Sequence, residues 1–193
     1  MARPRTFDPE KALDRAMAVF WKHGYEGATL PDLTEAMGIN RPSMYAAFGN
    51  KEQLYCKVLE RYASGPAAYV RKALEAPTAR EVVESLFHGA VELATNPRNP
   101  GGCLVLRGTM SCTKATDAVR RAVARQRAAS QAAIRRRFER ARDEGDLPAG
   151  SDPAALARYA VTVIQGMAAT ASEGARRVEL ERVAEIALRA WPT

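Results

Sequence analysis

Histidine and cysteine are scarce in this chain, with 2 His and 3 Cys among 193 residues. His23 and His88 each stand far from any cysteine or paired carboxylate, so no metal-ligand or histidine-based catalytic spacing is present. Cys56, Cys103 and Cys112 are an odd number at spacings that fit neither a zinc site nor a disulfide framework, which makes reduced thiols the expectation. No apolar run approaches the roughly 18–20 residues of a membrane span, and the first residues lack the apolar stretch of a signal peptide. A cytoplasmic protein with no membrane role follows as the expectation. Phosphate loops, nucleophile–base pairs and paired carboxylates at useful spacing are also missing. No catalytic residue, metal or cofactor is therefore expected. Alternating β patterns, internal repeats and sustained heptads do not occur.

What is present is globular: 47% apolar and 26% charged residues, enough for one substantial core or two small ones. The basic side chains are 23 Arg and 6 Lys, and the net charge is +7. Such a surplus favours a polyanionic partner without identifying it.

The pattern reads as helices throughout. Asp8-Pro9 is an N-cap with proline at the first helical position, and Ala12, Leu13, Ala16, Val19 and Phe20 recur at helical spacing until Gly24. Phe7, just before the cap, is placed to staple onto Ala12 or Leu13. Thr29 caps a second helix ending at Met37, where Gly38 supplies a left-handed exit. Asn40 caps a third through Phe48, and Gly49-Asn50 leads into a fourth from Lys51. The break Ser64-Gly65-Pro66 is the best domain boundary. It separates an N-terminal module (6–66) from a C-terminal helical domain (67–193). Beyond it, helices are expected from Thr78, over 103–112, over 115–144, from Asp152-Pro153 and over 178–190. Gly108 weakens the second of these.

Two short helices around Gly38-Ile39 form a helix-turn-helix pattern, whose second helix enters a DNA major groove with its N-terminal residues on base edges. Arg41, Pro42, Ser43 and Ala46 are polar or compact enough for that role, while Met44 and Phe48 are spaced to face inward. Arg41 suits a guanine, and Pro42 suits a thymine methyl. Thr29, Tyr45 and Lys51 suit phosphates. Arg3 and Arg5 form a short arm for a minor groove; an arm with no DNA role is the alternative.

The runs FDPEKALDRAMAVFWKHGY (7–25), ATLPDLTEAMGI (28–39) and RPSMYAAFGNKEQL (41–54) resemble the DNA-binding domain of the tetracycline-repressor (TetR) family, over about residues 6–66. The resemblance implies an all-α fold, with a three-helix DNA-binding head joined through a fourth helix to an effector-binding and dimerisation domain. It also implies an effector-controlled regulator, most often a repressor. Such a regulator binds a palindromic operator in double-stranded DNA as a homodimer, and a small ligand or thiol modification releases it. Thr29, Tyr45 and Lys51 fall on phosphate-contacting positions of the family, and Arg41, Pro42, Ser43 and Ala46 on groove-facing ones. Ala47 departs from the aromatic or histidine that many members carry.

The Gly-Cys-Leu stretch at 102–104 is similar to that of a subgroup of the family containing sensors of electrophiles, oxidants or metals, which places Cys103 at the sensing position. A thiol after two glycines at a helix start is also where a thiolate is favoured. The alternative is a small packing residue, the role expected of Cys56 and Cys112. Leu86, Phe87, Leu104, Leu106, Met110, Phe138 and Met167 are core candidates that could line an effector cavity. Leu156, Tyr159, Val163, Ile164, Met167, Val183, Ile186 and Leu188 form stripes on the last two helices for a dimer surface or for the monomer core.

Charge is unevenly spread. Residues 1–63 carry a net of only +1, whereas 98–142 carry twelve basic residues against Asp117 and Glu139. The arginines over 120–142 read as a solvated helix face, with an acidic effector, an acidic partner or a weak DNA contact as alternatives. Two other functions remain on the page: a helical interaction module for an acidic protein, and a small-molecule enzyme that no constellation supports.

Overall fold

A computed structural model describes residues 7–110 and 117–192. Arg3, Arg5 and Cys112 lie outside the described residues, as does the Met110 side chain. Among the described residues the chain forms α-helices and a single 3-10 turn, with no strand. The head consists of α1 (Pro9–Gly27), α2 (Leu30–Met37) and α3 (Arg41–Phe48), followed by α4 (Lys51–Ser64). After the turn at Pro66–Ala68 come α5 (Tyr69–Ala73), α6 (Ala79–Thr95), α7 (Leu104–Met110), α8 (Asp117–Asp143), α9 (Pro153–Ser172) and α10 (Arg177–Arg189). No helix among the described residues is long and apolar enough to cross a membrane.

Local chemistry sets most helix starts. Asp8 accepts from the amides of Glu10 and Lys11. Asn40 accepts from Ser43, and Asn50 and Gln53 close a reciprocal capping box. Thr78 with Glu81 does the same for α6, and Asp152 caps α9. Each such cap satisfies otherwise orphaned amides and contributes about 1 kcal/mol. The first helix does not stop at Gly24. It kinks there, at φ 71° and ψ 177°, and resumes through Gly27. Phe7 packs against Phe48 of α3, with ring centroids 6.3 Å apart.

Two cores share the interior. The first joins Leu13, Phe20, Leu33, Met44, Leu54 and Tyr55 of the head to Leu104 of α7 and Val119 and Val123 of α8. The head is therefore packed, through α1 and α4, onto elements far along the chain. The second core gathers Val82, Leu86, Phe87, Ile134, Phe138, Met167, Leu180 and Trp191. At that distal end Arg137 departs from the solvated face expected of its run. It is 5% exposed. Its Nη2 donates to the carbonyls of Ala76 and Pro77, both at 2.8 Å. Desolvation pulls its pKa below the usual range, with the Arg140 charge adding to the effect. The buried guanidinium thus ties α8 to the turn that leads into α6, and Asp146 caps the same turn by accepting from the Ala79 amide at 2.5 Å.

Removing that clamp should be costly. Arg137→Ala is expected to lower the unfolding free energy by about 2–4 kcal/mol, read from urea midpoints, because two charge-assisted bonds go and a void is left. Arg136→Ala, on the exposed side of α8, should change it by less than about 0.5 kcal/mol.

Candidate nucleic-acid interface and effector cavity

The helix-turn-helix begins at Thr29. Its hydroxyl donates to Asp32 Oδ2 at 2.6 Å and its amide donates to the same oxygen at 3.0 Å. This pairing holds the Asp32 carboxyl below its ordinary range. Both donors of Thr29 are thereby engaged within its own capping box. At the turn, Gly38 adopts φ 69° and ψ 32°. A side chain there would be strained, and glycine is not. The chain then reverses into α3, where Pro42 occupies the first turn and Asn40 caps the start.

The amphipathic split of α3 follows the sequence. Met44 is fully buried and Phe48 is 5% exposed. Arg41, Pro42, Tyr45 and Ala46 are exposed and Ser43 is half-buried. The face left open is thus polar and compact at its N-terminal end, the shape a groove-entering helix requires. Lys51, in the first turn of α4, sits over the Tyr25 ring at 4.6 Å from its centroid. Burial lowers its pKa, against the raising effect of Glu26. The stack confines the long lysine stem and points its charge from a fixed place.

From Lys51 the same helix runs to Tyr62, about 16 Å away at 1.5 Å per residue. There it meets a cavity of about 320 Å³, at the small end of the range for small-molecule sites. Tyr62, Tyr69 and Cys103 line it together with Leu93, Ile134 and Ile164. The Tyr62 hydroxyl donates to Cys103 Sγ at 3.4 Å. Its oxygen accepts from the Leu104 amide, and desolvation together with the thiol pushes the phenol well above its usual pKa. Tyr69 is shifted upward for the same reasons. Burial raises the Cys56 thiol, on the outer side of α4.

The loop before α7 binds head and cavity into one unit. Trp21 of α1 donates from Nε1 to the Gly101 carbonyl at 3.0 Å, and its ring meets Tyr62 edge-on with centroids 5.0 Å apart. Gly102, at φ 66°, lies so close to α9 that a Cβ would stand 3.0 Å from the Ala168 carbonyl and 3.1 Å from Ser172 Cβ. Only glycine lets the loop pass there. Arg98 is exposed in this loop, its amide bonded to Asn96.

Of the expected cavity residues, Leu106 lines the space. Leu86, Phe87, Leu104, Phe138 and Met167 are instead packed within the two cores. Helical periodicity identifies a buried face, but it does not separate the side chains that fill that face from those that border a void. The polar lining went unnoticed: Gln126, Arg127, Ser130 and Gln131 on α8 and Gln165 on α9. A signal existed, because neutral amides interrupt an otherwise Arg/Ala-rich helix in one case and an apolar helix in the other. On the last two helices, Leu156, Tyr159, Val163 and Leu188 pack partly buried against the second core, Ile164 borders the cavity, and Met167 is buried. Val183 is 46% and Ile186 is 65% exposed. Among the described residues, no three His, Cys, Asp or Glu side chains gather as metal ligands.

Residues 12–57 match the profile of bacterial regulatory proteins of the tetR family, and residues 79–186 match the tetracyclin repressor-like C-terminal domain. The HTH-type transcriptional repressor ComR of Escherichia coli (strain K12) is 32% identical over 192 residues, 98% of this chain and 91% of ComR. The uncharacterized HTH-type transcriptional regulator YezE of Bacillus subtilis (strain 168) is 32% identical over 82% of this chain and 83% of YezE. A cysteine-substituted form of the TetR family regulator CifR, solved with 26-base-pair double-strand operator DNA, is 44% identical. It superposes with a TM-score of 0.93 over 98% of this chain and 100% of CifR. The chain belongs to the TetR family of bacterial regulatory proteins.

Proposed function

We propose that this protein is a DNA-binding transcriptional repressor that acts in the cytoplasm as a homodimer on a palindromic operator and is released when its cavity is occupied or its Cys103 thiol is modified. The N-terminal face of α3 carries the reading, since its compact polar surface is left open among the described residues. It is supported by the repressor ComR and by the operator-bound CifR. Arg41, Pro42, Ser43 and Ala46 take the base edges. Tyr45 and Lys51 take phosphates, and Thr29 joins them once its bond to Asp32 is exchanged for a phosphate oxygen. Arg3 and Arg5 follow the adjacent minor groove. Sequence reading falls to α3 and register to the flanking contacts. We place the division between DNA head and effector domain at 66/67, with the two sharing a core.

Two heads must sit about one helical turn apart to read a palindrome, so dimer geometry is part of recognition. The outer face of α9 and α10 supplies the contact. Thr162, Gly166 and Thr170 give a small-residue groove on α9, beside exposed Val183 and Ile186 of α10. An occupant of the cavity presses on Tyr62 and Cys103. Trp21 relays that displacement to α1, and the heads change separation, which lowers DNA affinity through a coupling free energy. Cys103 is the thiol for a reactive effector: it borders the cavity, beside the Tyr62 hydroxyl.

Several measurements follow. In gel-shift titrations Arg41→Ala should weaken operator binding by about 1–3 kcal/mol and relax specificity at one base pair, whereas Lys51→Ala should weaken all sequences alike and reduce the salt slope by about one. Binding that is indifferent to both would end the DNA reading. Ile186→Glu should yield a monomer in analytical ultracentrifugation and lose the dimeric shift. Alkylation should release DNA from the native protein and not from Cys103→Ser. Trp21→Phe should keep operator affinity within about threefold while blunting release by thiol modification, because a six-membered ring still faces Tyr62 while the bond to Gly101 and the packing of the pyrrole ring go.

A further inference from the structure

The cavity is chemically one-sided. Its walls are apolar where Val70, Leu74, Leu93, Ile134 and Ile164 contribute, and its polar lining consists of amides, hydroxyls, a thiol and two guanidiniums, those of Arg71 and Arg127. Among the described residues no carboxylate lines it.

Those two arginines lack the carboxylate that several of their neighbours hold. Along α8, Arg120, Arg135, Arg140 and Arg142 each hold a carboxylate. Arg80 and Arg177 do so elsewhere in the same domain. Arg71 has no ion pair among the described residues, and Arg127 reaches only the neutral Gln165 Oε1, at 3.3 Å. Both are exposed while also lining the cavity, which puts them at its mouth. A wholly apolar occupant would give neither cation a carboxylate. An occupant with an acidic end would give them one, in the geometry guanidinium favours.

We propose that the cavity takes an amphiphilic anion: one carboxylate, or an equivalent acidic group, on an apolar body. The body lies between Leu74, Leu93, Ile134 and Ile164. The acidic group lies against Arg71 and Arg127, with the amide of Gln165 or Gln131 completing its hydrogen bonds. This deepens the effector reading above and rests on the cavity being the effector site. It does not need the thiol.

Isothermal calorimetry on the full-length Cys103→Ser protein tests it, with octanoate, decanoate and 4-phenylbutyrate set against the alcohols of the same skeletons, all below micellar concentration. At least one acid should bind about tenfold or more tighter than its alcohol, and that preference should shrink as salt is raised. Arg127→Gln and Arg71→Gln should each weaken the acid by several-fold and leave the alcohol within twofold. Acids that bind no better than alcohols, acids that ignore both substitutions, or no acid binding at all would each overturn the proposal. Operator binding by the unliganded protein, measured in parallel, separates the outcomes. If it is intact while the acids fail, the ligand class alone is wrong. If acid binding occurs but does not weaken the operator complex, the cavity binds anions without being the effector site.

Discussion

The edge of the Tyr62 ring against Trp21 holds this molecule together as a regulator. Tyr62 belongs to the helix whose first turn carries Lys51, and Trp21 belongs to the helix that backs the helix-turn-helix. Around them Phe20, Tyr25 and Tyr55 continue the contact, with Phe20–Tyr55 and Tyr25–Tyr55 centroids at 5.0 and 5.2 Å. Each such pair adds about 0.5–1.5 kcal/mol beyond the area it buries. The larger effect is geometric. Five rings packed between α1 and α4 join the helix that backs the helix-turn-helix to the helix that reaches the cavity. On the surface Arg61 repeats the tie, with a two-pronged contact to Asp14 and a third to Glu10.

Much of the head was legible in the sequence because its determinants are local. Asp8, Thr29, Asn40 and Asn50 cap helices through atoms three residues away or fewer, and Gly38 takes the left-handed conformation that its place after Met37 demands. Met44 and Phe48 point inward because a two-turn helix has one face to bury. What was not legible depends on distant parts of the chain. Arg137 looks like its neighbours in a run of arginines. Only the fold brings the Ala76 and Pro77 carbonyls to it and makes it an interior group. Leu86 and Phe138 look like cavity residues and are core, whereas Tyr62, Tyr69 and Gln126 looked incidental and border the space. Periodicity ranks side chains by the face they occupy, and a void is a property of how several faces meet.

Charge divides the molecule by task. The head is almost neutral, so recognition there depends on a few placed groups rather than on a diffuse field. The basic surplus belongs to α8. There, Arg120, Arg135, Arg140 and Arg142 are paired with neighbouring carboxylates, Arg137 is buried as a structural clamp, Arg127 borders the cavity, and Arg121, Arg125 and Arg136 are exposed. More than half of that helix's arginines thus serve its own fold or border the cavity, and net charge does not mark the helix-turn-helix.

The two tryptophans fall one to each core, and their indole nitrogens are treated differently. Trp21 gives its N–H to a carbonyl on the loop that frames the cavity, whereas Trp191, tilted against Phe138 at 5.0 Å, keeps a buried N–H with no partner among the described residues. An indole that is hydrogen-bonded emits at longer wavelength than one sealed in hydrocarbon. The two indoles therefore stand as separate reporters, Trp21 for the joint between head and cavity and Trp191 for the distal bundle.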